Sequence, residues 1–472
     1  MSKARLNKSL GLNLVVVVVI GNIIGSGVYK KVAPMADVLH SSGWILVCWV
    51  LAGIISLFGA LSNAEVAGLL ADTGGEYAYY KKIYNRFFAF MFGWSMFSVI
   101  QTAGVASIAY VFAQSLNNIV HLPPIFSSLA DVSIGGSFYP FRDFNVKLIA
   151  IVLIIFLSWI NSRGIKTGAG LSTAILLLVF GGIAVIVIGG VSSAHVSIGS
   201  AFDMSTPAGK PITISALFTA MLAAFWAYQG WASIGFVGGE IKDAKKNIPK
   251  GITIGVMIII GAYLLVNATY LSVLTIPQLE SIKQSGNQIA AVEAVRTFWG
   301  SGGALFISIL ILITTLGCTN ATILSSSRPF YAMAREGLFF KSAAKINKFL
   351  APGNSLVFVG GWSCLLVLSG TFDQLTDMII FAVFIYYGAT TLGVFILRKK
   401  MPDAPRPYKV WGYPIVPAIV IIFCVGLFVN TFITQPREAS IGIVLMLTGV
   451  PMYFLFRKYY QQEDLSEGEE KV

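Results

Sequence analysis

Gly21-Asn22-Ile23-Ile24-Gly25-Ser26-Gly27 interrupts an apolar run, Leu12 to Ile20, that is long enough to enter a bilayer. A helix that breaks at membrane depth leaves N–H and C=O groups that hydrocarbon cannot satisfy. Such a break persists only where it is buried in protein or lines a polar cavity. The stretch therefore points to a binding site made of backbone near the bilayer midplane. The alternative is an unbroken helix in which Gly21 and Gly25 form a GxxxG packing face.

The composition settles the surroundings. Apolar residues make up 56% of the 472-residue chain and charged residues 11%, against about 25% charged in a soluble domain. Cutting at charges and turn residues gives twelve apolar spans of roughly 20 residues or more, the length that crosses a bilayer as a helix. They fall near 12–38, 43–69, 87–119, 146–162, 168–191, 212–239, 251–274, 302–333, 355–371, 374–397, 413–434 and 439–457. The opening MSKARLNKSL leads straight into the first span with no cleavage site, so no cleavable signal peptide is expected. With the N-terminus inside, the inner segments hold 25 of the 33 Lys and Arg residues. Only Lys30, Lys31, Arg142, Lys147, Lys210, Lys283, Arg296 and Arg437 remain outside. The positive-inside rule then predicts both termini in the cytoplasm and a place in the cytoplasmic (inner) membrane. The net charge of +12 reads as orientation and attraction to anionic lipid, not as nucleic-acid binding.

Other classes lose ground on the same residues. Cys48, Cys318, Cys364 and Cys424 all fall in spans without metal-ligand spacing. His40, His121 and His195 are too scattered for a metal site. The sequence contains no GxxxxGK[ST] loop for nucleotide. Neither channel-type charge rings nor an intramembrane nucleophile–base pair can be found. The tail 459–472 is acidic and expected to be disordered.

A second interruption, Ala224-Phe225-Trp226-Ala227-Tyr228-Gln229-Gly230-Trp231, lies five spans after the first. A unit with an odd number of spans enters the membrane with opposite polarity when repeated. Spans 1–5 (about 12–191) and 6–10 (about 212–397) are thus expected to form an inverted repeat within one domain, 1–458, with spans 11 and 12 (413–457) peripheral. Paired breaks in matching positions are the sequence pointer to a transporter's substrate site.

At these residues the chain resembles the amino acid–polyamine–organocation (APC) superfamily. More closely it is similar to bacterial L-amino acid permeases related to the light chains of heteromeric amino acid transporters. The resemblance rests on GNIIGSGVYK (21–30), LSNAEVAGLLADTGGEYAYYKKIY (61–84), AAFWAYQGW (223–231), GGEIKDAKKNIPK (238–250) and LGCTNATILSSSRPFYAMAREGLF (316–339). They occur in family order over nearly the whole chain. It implies an all-α, leucine-transporter-like fold, a 5+5 inverted repeat with helices 1 and 6 broken. It implies no cofactor and no enzymatic activity.

An amino acid brings a carboxylate and an ammonium, and a broken helix offers a complement to each. The half-helix beginning after the break presents free N–H groups and a positive dipole end. The N–H groups of Ser26, Gly27 and Val28, with the Ser26 hydroxyl, are expected to hold the carboxylate. The carbonyls of Ile23, Trp226, Ala227 and Gln229 are expected to hold the ammonium. The resemblance puts the α-carboxyl and α-amino groups at the same positions. Trp226 is the candidate aromatic gate, the alternative being a packed or interfacial Trp. The span-3 residues Gln101, Thr102 and Ser107 and the span-10 residues Phe381, Phe384, Tyr386 and Tyr387 are candidates for the side-chain pocket.

The predicted membrane core contains no Asp and one Glu, Glu65, near the inner end of span 2. With Asp72 and the GGEY run after it, Glu65 reads as a cytoplasmic gate or a helix-end contact. Without a carboxylate beside the site, neutral L-amino acids are favoured over an amine, polyamine or cationic amino acid. Relatives commonly carry a lysine in span 5 whose ammonium occupies a cation position. Here that position falls near Val179, and the span has no lysine. Na⁺ held by carbonyls of Gly21 and Asn22 and by Thr315, Cys318 or Thr319 is one substitute, since oxygen ligands suit a hard cation. In the alternative, those hydroxyls bond back to their own helix, which leaves H⁺ coupling or uncoupled exchange. The outer loop 120–145 has no cysteine, so no disulfide-linked heavy chain is expected.

Overall fold

The computed structural model describes residues 11–70, 75–134, 138–163, 169–194, 196–231, 241–286, 288–349, 351–406 and 408–458. Asp72, Lys166, His195 and the tail 459–472 lie outside the described residues. Among the described residues there is no strand beyond one isolated bridge, Ile134 to Phe138. The chain is all-α. Among the described residues, eight helices are long and apolar enough to cross a membrane, and four shorter apolar helices accompany them. Together they occupy the twelve places expected from the sequence.

The short helices show where the pattern departs from simple crossing. Span 1 runs as a helix over Leu12–Ile23 only. Twelve residues rise about 18 Å, well short of a hydrocarbon core about 30 Å thick. Ile24 is extended (φ −74°, ψ 123°), and a new helical segment starts at Gly27. It continues through Lys31 to Leu39. Span 6 is helical over Ile214–Tyr228 and ends with Gln229 extended and Gly230 at φ +122°. The breaks are narrower than the sequence suggested. Gly21 and Asn22 are still wound in helix, as are Trp226 and Ala227.

The chain weaves between two faces, named here by the ends of span 1. Span 2 (Ser42–Leu69) returns to the Leu12 face, where a short helix, Gly75–Ile83, precedes span 3 (Arg86–Val120). Span 7 (Ala244–Val273) rises to the Leu39 face, where the helix Ile276–Ser285 precedes span 8 (Ala290–Arg335). Spans 3 and 8 pack along each other, span 7 lies against spans 1 and 2, and span 10 (Phe372–Lys400) packs on span 11 (Ile415–Thr434). Span 3 contains a π-helical turn, Met96–Ile100. The Thr102 hydroxyl donates to the Phe97 carbonyl five residues back at 2.6 Å, which suits the wider turn.

Glu65 sits at a helix-end contact. Its buried carboxylate accepts from Arg398 Nε (2.9 Å) and Nη2 (2.8 Å) at the end of span 10, and from the Val410 N–H (2.6 Å). Arg406 Nε is 3.6 Å away. Removing one member of a buried ion pair strands the others, at a cost of about 3–5 kcal/mol. Glu65→Ala is therefore expected to lower the melting temperature in detergent markedly. The Glu65→Ala/Arg398→Ala double variant should lose less than the sum of the single variants, as a double-mutant cycle by calorimetry would report.

Candidate substrate site

The two breaks meet. A Cβ on Gly27 would lie 2.8 Å from the Cα of Ala227 and 3.0 Å from Cδ1 of Trp226. A methyl group on Gly230 would overlap the Asn22 carbonyl oxygen. Both positions need glycine because two backbones share the space, and Gly230 also for its positive φ. Beside this contact Gly25 faces open space.

The helical ladder of span 1 stops at Ile24 N–H donating to the Ile20 carbonyl (2.9 Å). The carbonyls that follow, of Gly21, Asn22 and Ile23, belong to the last turn, where a helix supplies no partners. The N–H groups of Ser26, Gly27 and Val28 open the next segment and are left free by the same rule. The Ser26 hydroxyl is buried, 5% exposed, and has no hydrogen-bond partner among the described residues. It is one of seven such buried hydroxyls among the described residues, and the one that stands where the half-helix after the break begins. In span 6 the last-turn carbonyls are those of Phe225 to Tyr228. One is engaged: the Tyr263 hydroxyl of span 7 donates to the Ala227 carbonyl at 2.8 Å and lies 3.5 Å from that of Ile23. Tyr263 thus ties the two broken ends together and stacks edge-on with Trp49 and Tyr228. No motif marks it, and sequence reasoning missed it.

Trp226 is half-buried toward the Leu39 face and meets Phe372 edge-on, ring centroids 6.2 Å apart. The ammonium groups of Lys30 and Lys31 lie 4.8 and 4.9 Å from the centroid of the same Phe372 ring. Lys31 is fully buried and bonds Asp373 (2.9 Å) and Thr376 (2.6 Å), with Asp377 at 3.5 Å. Lys283, from the helix Ile276–Ser285, takes the other oxygen of Asp373 at 2.9 Å. Lys30 donates to Gln114 of span 3 at 2.6 Å. This cluster joins spans 1, 3 and 10 and the helix Ile276–Ser285 on the Leu39 side of Trp226. Asp377 falls within the sequence-assigned span 374–397, so the reading of a core without Asp is corrected. Single charges near span ends gave no sign of partnership some 340 residues apart.

On the Leu12 side of the breaks lies a cavity of about 60 Å³, lined by Gln101, Gln229, Gly230, Tyr386, Tyr387 and Glu76 among others. The reading that no carboxylate stands beside the site is therefore also corrected. Glu76 belongs to the short helix between spans 2 and 3, and it reaches the cavity from outside the spans. Gln229 and Phe384 also line a smaller apolar void between spans 2, 6 and 10. Thr102 and Ser107 spend their hydroxyl hydrogens on carbonyls of their own helix, and Phe381 stacks on Phe428 of span 11. Of the suggested cation ligands, Thr315 and Thr319 donate to the carbonyls four residues back, at 2.6 and 2.7 Å. Val179 is buried.

Two broken helices that meet inside an all-α bundle of apolar spans, with a charge cluster on one side and a polar cavity on the other, suit a membrane carrier. The sequence profile of the amino acid permease family matches residues 10–456, and the chain belongs to that family. It is 29% identical to the serine/threonine exchanger SteT of Bacillus subtilis, over 96% of this chain and 98% of that one. It is 26% identical to the human b(0,+)-type amino acid transporter 1, over 96% and 89% of the two chains. It is 28% identical to the human large neutral amino acids transporter small subunit 2, over 95% and 80%. The protein is a multi-pass membrane transporter of amino acids, not an enzyme.

If the charge cluster seals the Leu39 side, weakening it opens a path to Ser26. A cysteine at Ser26 should react with a membrane-impermeant maleimide added to that side several-fold faster when Asp373→Asn is also present. Equal rates would show that the cluster does not control access.

Proposed function

We propose that the protein moves neutral L-amino acids across the cytoplasmic membrane by alternating access, gripping the substrate backbone at the two helix breaks. The observation that carries this is the buried, unpartnered Ser26 hydroxyl beside the first N–H groups of the outer half of span 1. In this reading those groups, on Ser26, Gly27 and Val28, take the carboxylate. The carbonyls of Ile23, Trp226 and Gln229 take the ammonium, with that of Ala227 shared with Tyr263. Trp226 closes over the substrate from the Leu39 side. Glu65 secures the inner end of span 2 and acts in gating by holding span 10.

The Leu12 face is the cytoplasmic one, with both termini there, as the basic loops indicate. Repeats of about 12–191 and 212–397 form the ten-helix core, 413–457 the peripheral pair, and 459–472 the acidic tail. The helices Gly75–Ile83 and Ile276–Ser285, at matching places on opposite faces, support that duplication. The bundle of spans 1, 2, 6 and 7 rocks against the remaining core helices. The names of relatives, a serine/threonine exchanger and a large-neutral-amino-acid transporter subunit, support small or medium neutral substrates and exchange. The engaged hydroxyls of Thr315 and Thr319 weigh against a Na⁺ site formed with Gly21, Asn22 and Cys318. No disulfide-linked heavy chain takes part.

A second reading, an exchanger of amines, polyamines or cationic amino acids, is favoured by one observation: Glu76 in the cavity beside Gln229. Reconstitution separates the two. Labelled alanine or serine uptake should require internal amino acid and be indifferent to a Na⁺ gradient. Thermal stabilisation by amines or lysine, and not by alanine or serine, would overturn the neutral reading.

Ser26→Ala tests the grip itself. A hydrogen bond to a charged group contributes about 1.5–3 kcal/mol, so alanine affinity should fall roughly 10- to 100-fold. The melting temperature without substrate should hold, because the hydroxyl has no partner to lose. Gly27→Val, by contrast, should abolish uptake by forcing the breaks apart.

A further inference from the structure

Glu76 is not used in the grip described above, and its setting is unusual. It is 7% exposed, and its Oε1 has no hydrogen-bond partner among the described residues. It lines the cavity below the breaks with Gln101, Gln229, Gly230, Tyr386 and Tyr387. At about 60 Å³ that cavity exceeds the roughly 10–15 Å³ that one water requires. The helix Gly75–Ile83 packs on spans 2, 3 and 10. Of their charged groups, Glu65 and Arg398 hold each other and Lys400 donates to the Ile83 carbonyl (3.0 Å). The titratable groups that sense its charge are the phenols of Tyr79, Tyr80 and Tyr387. Burial pushes the Glu76 carboxyl up to about 7. On the opposite face the matching helix delivers Lys283 to a charge cluster that compensates it. Here the corresponding helix delivers an acid to a cavity that does not.

We propose that Glu76 is a proton-binding site of the transport cycle, holding a proton while the cavity is closed over it and releasing it to water when the inner pathway opens. This rests on the transport reading above. The sign follows from burial. A carboxyl that is neutral when enclosed and hydrated when open makes acid favour the closed form. Opening is favoured as pH rises from the ordinary carboxyl value of 4.5 to about 7 and gains nothing further beyond it. Across that window the balance can shift by up to about two orders of magnitude. Transport should therefore slow as the cytoplasm acidifies.

The test counts protons. Detergent-solubilised protein in weakly buffered dye solution receives saturating alanine, which closes the cavity over Glu76. Uptake approaching one proton per molecule is expected near pH 6, falling away below about 4 and above about 8.5. Glu76→Gln should take up none, while alanine still raises its melting temperature. Equal proton uptake by the variant overturns the proposal. So does alanine stabilisation of the wild type without proton uptake at any pH, a result that stands even if the variant fails to fold. If the variant loses stabilisation by lysine alone, Glu76 is a partner for a cationic side chain and the proposal fails. If alanine, serine and lysine stabilise neither protein, the transport reading falls first and takes this one with it.

Discussion

Peptide groups at membrane depth must find partners, and this constraint organises the molecule. Two helices stop short of crossing, and their loose ends are brought together rather than left facing lipid. Gly27 lies against Ala227, and Gly230 lies against Asn22. Tyr263 then takes up one of the exposed carbonyls and approaches another. Among the described residues, what remains free is a short row of N–H groups, a few carbonyls and the Ser26 hydroxyl. The rest of the fold closes the two sides of that gap.

The two sides are closed by different physics. Toward the Leu39 face, Lys31 and Lys283 share Asp373, and Phe372 fills the space between the cluster and Trp226. Charges buried there are paired, as low-dielectric surroundings require. Toward the Leu12 face the fastening lies further out, where Glu65 grips Arg398 and the Val410 amide. Between that clamp and the breaks lies polar space bounded by Gln101, Gln229 and two tyrosines.

Much of the fold was legible because its signals are local. Twelve apolar runs, the asymmetry of basic loops and two glycine-bearing interruptions each reside in a few consecutive residues. The breaks were placed a few residues too wide because glycine permits unwinding without requiring it. Gly21 remains helical, whereas Ile24 departs. The rest depended on contacts between distant segments. Asp373 and Asp377 looked like ordinary residues at a span end, and only the packing of span 1 on span 10 makes them partners of Lys31. Glu76 sits in a loop helix by sequence and beside the breaks in space. Tyr263 is one tyrosine among eighteen, with no neighbour that announces its role. Gln101, Tyr386 and Tyr387 line the cavity, while Phe381 belongs to the contact with span 11.

The polar surface at the breaks is mostly main chain, and a substitution to any residue but proline leaves the main-chain N–H and C=O in place. Residues around it, such as Gln229, Gln101 or Phe384, can be exchanged one at a time. The N–H and C=O groups at the breaks persist throughout. A lineage built on this scaffold can therefore exchange the residues around the gap one by one while its exposed peptide groups stay in place. Divergence in preference then needs no non-functional ancestor.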